Sequence, residues 1–327
     1  MSATTRLRYW RRLLSAYVLR RQSHLTFWHD TPEAEEGFDP DLIGPYYMSF
    51  AGKADYEGNF DDNGIPLLDY RGAVGPQYNP IAIAQYGLGN YNLFKRDGDS
   101  HRRERFLAAA GWLAENLESH PKGTQVWMHH FDFEYRDVLR APWHSGLAQG
   151  QGLSVLARAH SETGEQQYAD AAEVAFKAFG VDFPEGGVVH IDDAGNPWIE
   201  EYPADPPTHI LNGFIWGLWG VRDHALATGS VEAQELWDSS VQTLIANLHQ
   251  YDTKTWSLYD LSAPGRLQMV SSGFYHRLHI LQLRIMETLT NETIFGRYAD
   301  RWEARAGHRR NRLYNRTYKA IFKVLRY

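Results

Sequence analysis

Three segments of the chain gather side chains that can give or take a proton. The first is Trp198-Ile199-Glu200-Glu201-Tyr202-Pro203, followed by Leu211-Asn212-Gly213-Phe214. It sets two carboxylates beside a phenol, in a loop expected to enter a helix at Pro206-Pro207, where a missing N–H is no loss. The second is Ser257-Leu258-Tyr259-Asp260-Leu261, and the third is Phe274-Tyr275-His276-Arg277-Leu278-His279 at a helix start. His276 and His279 are three residues apart and so share a helix face. Taken singly, each group is bland, since a buried side chain with its hydrogen bonds satisfied is far commoner than a catalytic one. Other chemistries lack their signatures: the chain has no GxGxxG, Walker A, HExxH or GxSxG motif. His129-His130 with Asp132 makes a poor chelate, because neighbours on a strand point to opposite faces. Asp61-Asp62-Asn63-Gly64 lacks the spaced ligands and closing Glu of a calcium loop and reads as a turn. No metal and no cofactor is expected.

These segments must be carried by a helical frame. Helical periodicity predicts helices near 79–95, 99–117, 143–161, 164–179, 206–228, 230–249, 271–289 and 291–306. Asp97-Gly98, Thr163-Gly164 and Thr228-Gly229-Ser230 supply stop signals at the junctions. The pairing into hairpins suggests a mainly α fold: an incomplete α/α toroid of the (α/α)4 barrel type, with short β-hairpins in the inter-helix loops. The longer segments 121–142, 184–205 and 251–270 have room for such hairpins, as in Gly187-Val188-Val189-His190-Ile191 before Asp193-Ala194-Gly195-Asn196. Loops gathered at one end of a ring of helices are where a site is built. The expected organisation is a basic amphipathic helix at 1–23, an irregular or short-strand segment at 24–76, the toroid at 77–306 and a second basic helix at 307–327.

At 327 residues with 43% hydrophobic side chains the chain can bury a sizeable core. Zero cysteines exclude disulfides, thiolate nucleophiles and Cys-ligated zinc or iron–sulfur sites. Aromatic residues reach 14%, a richness shared by sugar-binding clefts and ordinary cores. The net charge of −7 is unevenly placed: residues 1–23 and 305–327 hold 14 of the 33 bases and none of the 40 acids. Both ends show apolar rows at helical spacing, Leu7, Trp10, Leu14 and Tyr17 in one and Leu313, Thr317, Ile321 and Leu325 in the other. Such helices lie on an anionic membrane, hold an anionic polymer, or pack on the acidic body. The arginines of residues 1–23 interrupt any signal-like apolar stretch, and no run reaches the roughly 18 residues of a membrane span. The expectation is therefore a cytoplasmic protein, with peripheral contact at the inner membrane face and a homodimer as the further associations considered, and no nucleic-acid partner.

The segments above occur in an order that resembles the C-terminal domain of the glucuronyl C5-epimerases of heparan sulfate and heparin maturation. The matching stretches are Gly75-Pro76-Gln77-Tyr78-Asn79-Pro80-Ile81-Ala82-Ile83-Ala84-Gln85-Tyr86-Gly87-Leu88, Trp143-His144-Ser145-Gly146-Leu147-Ala148-Gln149-Gly150-Gln151, Glu201-Tyr202-Pro203, Leu211-Asn212-Gly213-Phe214, Leu258-Tyr259-Asp260-Leu261 and Tyr275-His276 with His279. The resemblance runs from about residue 45 to residue 306. It implies an (α/α)4 toroid, preceded in the animal enzymes by β-rich domains that have little room here.

The implied reaction is inversion of C5 of D-glucuronate to L-iduronate within a uronate-containing polysaccharide. A base removes the proton α to the carboxylate, a donor stabilises the enolate-like charge, and a second acid returns a proton from the other face. The resemblance maps these roles onto Glu201, Tyr202, Tyr259 and Tyr275, with Glu201 and Tyr275 expected on opposite walls as the proton-transfer pair. It maps substrate contacts onto Tyr86, Trp143, Gln149, Asn212, His276, Arg277 and His279. A tyrosyl base needs positive charge nearby, for which His276, Arg277 and His279 are candidates. In one place the chain departs from the pattern: animal members follow Tyr-Asp-Leu with Arg-His, a carboxylate clamp, where this chain has Ser262-Ala263. Arg266, Arg277 and Arg140 are the candidate replacements. Two alternatives stay open at this point: a polysaccharide lyase that expels the C4 substituent after the same proton abstraction, and a catalytically silent glycan-binding module.

Overall fold

The computed structural model describes residues 31–70, 74–135, 138–261 and 267–326, with side chains up to residue 322. The basic helix expected at 1–23, together with Ser262, Ala263 and Arg266, lies outside the described residues.

The chain is mainly helical. After a four-residue helix α1 (Ala51–Ala54) come eight helices in pairs: α2 (Pro80–Asp97) with α3 (Ser100–Glu115), α4 (Gly146–Thr163) with α5 (Gln166–Phe176), α6 (Leu211–Thr228) with α7 (Val231–Asn247), and α8 (Gly273–Thr290) with α9 (Thr293–Gly307). A further helix, α10, spans Arg309–Arg326. One device turns every corner. The first helix of each pair ends on a residue with positive φ, at Gly98, Gly164, Gly229 and Asn291, whose N–H closes the last turn. Side-chain caps start many of the helices: Asn79, Asp99, Ser145, Ser230 and Ser272 each accept a first-turn N–H.

The first members α2, α4, α6 and α8 pack against one another in succession, and the second members stand behind them. Helices α4 and α6 touch backbone to backbone: a Cβ on Gly150 would fall 2.4 Å from the Cα of Gly217. The inner side of this arc is filled by residues 46–50. Tyr46 and Tyr47 pack on Trp219, and Phe50 packs on Trp216. The Asn92 amide of α2 holds the backbone of Tyr46 and Met48.

The strands are short and confined to loops. Strands β1 (Asn59–Phe60), β2 (Pro66–Asp69) and β3 (Pro76–Tyr78) form an antiparallel sheet before α2. Between β1 and β2 the Asp61 carboxylate accepts the N–H groups of Asn63 and Ile65, so the Asp-Asp-Asn-Gly run is a turn. Between α3 and α4 lie β4 (Glu118–Ser119) paired with β5 (Gln125–Val126), β6 (Met128–His129) paired with β9 (Trp143–His144), and β7 (Phe133–Glu134) paired with β8 (Val138–Leu139). After α5, β10 (Val189–Ile191) and β11 (Pro197–Ile199) form the hairpin expected around Asp193–Asn196.

Two helix starts differ from expectation. The helix predicted from 143 begins at Gly146, because Trp143 and His144 are taken into the ladder with β6. The helix predicted from 206 begins at Leu211, because the Glu200 carboxylate accepts the N–H groups of Thr208 and His209 and holds them outside the helix.

Candidate active site

The four inner helices all bring their first turns to one cavity. Ile81 of α2, Leu147 of α4, Asn212 of α6 and Tyr275 of α8 line a pocket of about 210 Å3. Helix N-termini carry partial positive charge, so this end of the frame favours an anionic group. The remaining walls are largely aromatic, from Tyr70, Phe131, Phe133, Trp143, Tyr202 and Trp216.

Glu200 and Glu201 diverge sharply. Glu200 turns back into its own loop, where it also binds Nδ1 of His209 at 2.5 Å. Glu201 turns into the pocket and is 3% exposed. Its carboxyl receives Nδ2 of Asn212 at 3.2 Å and a hydrogen bond from the Tyr202 side chain. It lies against the first turn of α6, where only glycine leaves room: a Cβ on Gly213 would fall 2.3 Å from its Oε2. Burial outweighs the two hydrogen bonds and raises its pKa to about 8. Glu201 is therefore mostly a neutral acid at pH 7 and becomes a carboxylate only in mildly alkaline conditions.

The tyrosines form one cluster beside it. The Tyr202 ring packs 4.9 Å from Tyr135, Tyr135 lies 6.4 Å from Tyr259, and Tyr259 meets Tyr275 edge-on at 4.8 Å. Burial first, and then the charge of Glu201, push the Tyr202 and Tyr259 phenols well above their ordinary range, so both are hydroxyl donors at neutral pH. Tyr275 reaches the pocket from the first turn of α8, where Ser272 caps its N–H. Tyr259 stands behind Tyr275 and is not among the lining residues. Its backbone is fixed on both sides, donating to Met269 O and accepting from Leu211 N.

The other expected contacts divide. Trp143 and Asn212 line the pocket; Trp143 stacks at 3.8 Å on His129, whose pKa burial lowers to about 3. Tyr86 does not line it: it is buried on α2 against Phe60. Gln149 is fully buried and spends its amide on the carbonyls of Gln125 and Ala175. His276 and His279 turn their Nδ1 atoms to Ser257 Oγ, at 2.7 and 3.0 Å. Burial lowers the His276 pKa to about 4 and that of His279 well below its usual value, so neither supplies the positive charge expected of it. Arg277 faces a different cavity, and Arg140 pairs with Asp132 on the exposed surface. His129, His130 and Asp132 turn three ways, to Trp143, Glu118 and Arg140. Among the described residues no group of three His, Asp or Glu side chains is placed to hold a metal.

Some residues in and around the pocket were not among the expected site residues. Lys53 of α1 is the one cation among the described residues that line the pocket. It sits in a stretch without helical period, and only the fold carries it to the site. Asn79 both caps α2 and donates to the Tyr70 hydroxyl at 2.6 Å. Tyr135 binds the buried Asp260 at 2.5 Å and so locks the aromatic cluster to the Tyr259 loop.

The stretch of sequence that carries Glu201, Tyr202, Tyr259 and Tyr275 is matched by a family model. The D-glucuronyl C5-epimerase C-terminus model covers residues 122–304, more than half of the chain. The chain belongs to that family. It is 33% identical over 222 residues to the D-glucuronyl C5-epimerase of Caenorhabditis elegans, a match taking in 64% of this chain and 35% of that protein. The chain thus spans about a third of that relative's length. It is also 29% identical over 256 residues to an uncharacterized protein of Methanocaldococcus jannaschii, covering 72% of this chain and 81% of that one. Among solved structures, the unsaturated glucuronyl hydrolase of Bacillus sp. GL1 is similar at 17% identity with a TM-score of 0.46, over 70% of this chain and 62% of that one.

Proposed function

We propose that this chain is a uronyl C5-epimerase that converts D-glucuronate to L-iduronate within a glycosaminoglycan-like polysaccharide, and that its arc of hairpins is the incomplete (α/α)4 toroid of that family. The observation that carries the reading is Glu201, a buried carboxyl whose pKa burial raises to about 8, in one pocket with Tyr202 and Tyr275 and backed by Tyr259.

In its ionised form Glu201 takes the C5 proton from one ring face, and the Tyr275 hydroxyl returns a proton from the other. In the reverse direction the roles exchange, with the Tyr275 phenolate as base and neutral Glu201 as acid. Between the two steps the substrate carboxylate carries enolate-like charge. The Tyr202 hydroxyl, the Lys53 ammonium and the positive ends of the inner helices stabilise it. Tyr259 holds Tyr275 in place through ring contact. Lys53 takes the part that an Arg-His pair after Leu261 would otherwise play.

Incubation with heparosan in deuterated water, followed by NMR, tests the reading. Deuterium at C5 together with iduronate signals is expected. A new ultraviolet-absorbing double bond would instead mean elimination, and unchanged protons on a polymer that binds would leave only glycan binding.

A further inference from the structure

A second cavity, of about 320 Å3, lies on the other side of the first turn of α8. Phe274 and Tyr275 of that turn face the reaction pocket, whereas Ser272, Gly273, His276 and Arg277 face the second cavity. Its far wall is the C-terminal helix, which contributes Arg312, Arg316 and Lys319. No acidic side chain is among its described lining residues. Arg277 and Arg316 are exposed, and among the described residues neither is paired with a carboxylate. Arg312 is fixed by the carbonyls of Ala306 and Gly307, which position its guanidinium without neutralising it. Lys319 is placed by the carbonyl of Val270 at 2.7 Å. Asp252, the acid of the neighbouring loop, is occupied by Arg301 and Arg305. Trp256 and His276, stacked at 3.8 Å, add an aromatic wall.

We propose that this cavity is a second subsite for the polysaccharide, binding a uronate carboxylate of a unit outside the reaction pocket. The inference rests on the reaction assigned above. Guanidinium forks recognise carboxylates bidentately. A helix is roughly 10 Å across with its side chains, so a strand crossing the first turn of α8 passes from one cavity to the other. Among the described residues the reaction pocket is lined by one cation and two acids, Glu33 and Glu201, so this second cavity supplies the concentrated positive charge that a polyanion needs.

The test measures the affinity of the full chain for heparosan polymer and for a heparosan disaccharide at two salt concentrations, with C5 deuterium exchange followed in parallel. The variants are Arg277→Ala/Arg316→Ala and Arg277→Lys/Arg316→Lys. The alanine pair should weaken polymer binding about tenfold and flatten its salt dependence, because two screened charge contacts are lost. The disaccharide serves as the reference for the reaction pocket alone. The lysine pair should recover part of the polymer affinity, since charge returns without the fork. Polymer affinity and salt dependence unchanged in the alanine pair would overturn the subsite, as would equal losses for polymer and disaccharide, or a lysine pair as weak as the alanine pair. Absence of heparosan binding by the parent chain would overturn it too. Binding that depends on Arg277 and Arg316 without C5 exchange would uphold the subsite and reject the reaction; exchange without that dependence would do the reverse.

Discussion

Glu201 has lost nearly all its water and holds two hydrogen bonds in return, and the resulting pKa of about 8 makes pH a handle on both stability and turnover. Its ordinary value is 4.5, so between pH 4.5 and about 8 the folded protein keeps a proton that the unfolded chain has released. Stability therefore falls as pH rises through that window. Glu201→Gln carries no such proton, so its advantage over the parent should grow between pH 5 and pH 8, by about 3 kcal/mol, read by urea unfolding at both pH values. A constant gap would mean that Glu201 is hydrated in the folded state. The same variant should lose C5 exchange, and in the parent the direction that uses the Glu201 carboxylate as base should speed up with pH and level off above about 8. Lys53 is tested by its neutral isostere. Lys53→Met should lower kcat/KM on the order of a hundredfold, with kcat falling more than KM rises, because the enolate carries more charge on the carboxylate than the substrate does. A loss confined to KM would restrict Lys53 to holding the ground state.

At the scale of elements, the first turn of α6 is shaped around Glu201 by one missing side chain. Gly213→Ala should raise helix propensity by about 1 kcal/mol, yet its Cβ would stand 2.3 Å from the Glu201 carboxyl and 2.5 Å from the Glu201 Cβ. The expected result is a lower melting temperature together with at least a tenfold loss of turnover. A stabilised and active variant would show that Glu201 has room to move. The helices were legible in sequence because their corners are written locally, as Gly98, Gly164 and Gly229 with Asp99 or Ser230 following. Glu201, Tyr202, Trp143, Asn212 and Tyr275 were legible as pocket residues through motif order, and the structure brings them together. Periodicity failed where a partner distant in sequence decides. Trp143 and His144 were read as helix but pair with β6, and residues 206–210 were read as helix but follow the pull of Glu200. A helix face can be read as apolar or polar, but which face meets the pocket depends on neighbouring helices. Tyr86 and Gln149, mapped by the resemblance as substrate contacts, turn into the packing between elements instead, and His276 and His279 are neutral partners of Ser257. Of the three options open for the C-terminal helix, packing through its apolar row is not the one seen: Leu313 is 69% and Ile321 52% exposed, and the buried anchor is Phe322.

Across the whole molecule, the wall that carries Lys53 is tied to the opposite end of the helical frame by a buried charge. Arg158 near the end of α4 binds Asp223 near the end of α6, at 2.6 Å, with both side chains almost wholly excluded from water. Both also hold the segment leading to the pocket: Arg158 Nε donates to Gly44 O, and the Tyr47 hydroxyl donates to Asp223 at 2.7 Å. From there Tyr46 and Phe50 pack under Trp219 and Trp216, and the chain enters α1 with Lys53. Removing one charge leaves the other buried without its partner, which costs about 3–5 kcal/mol, whereas replacing the pair by apolar groups is often neutral. Arg158→Met should therefore unfold at markedly lower urea concentration, and Arg158→Met/Asp223→Leu/Tyr47→Phe should recover most of the loss. Because Gly44 loses its anchor in both, both should also raise KM for the polymer, including the variant whose stability has returned. Recovery of stability together with the parental KM would show that the Lys53 wall is held by the aromatic packing of residues 46–50 alone. An Arg158→Met variant as stable as the parent would show that Asp223 takes up a proton or regains water once its partner is gone.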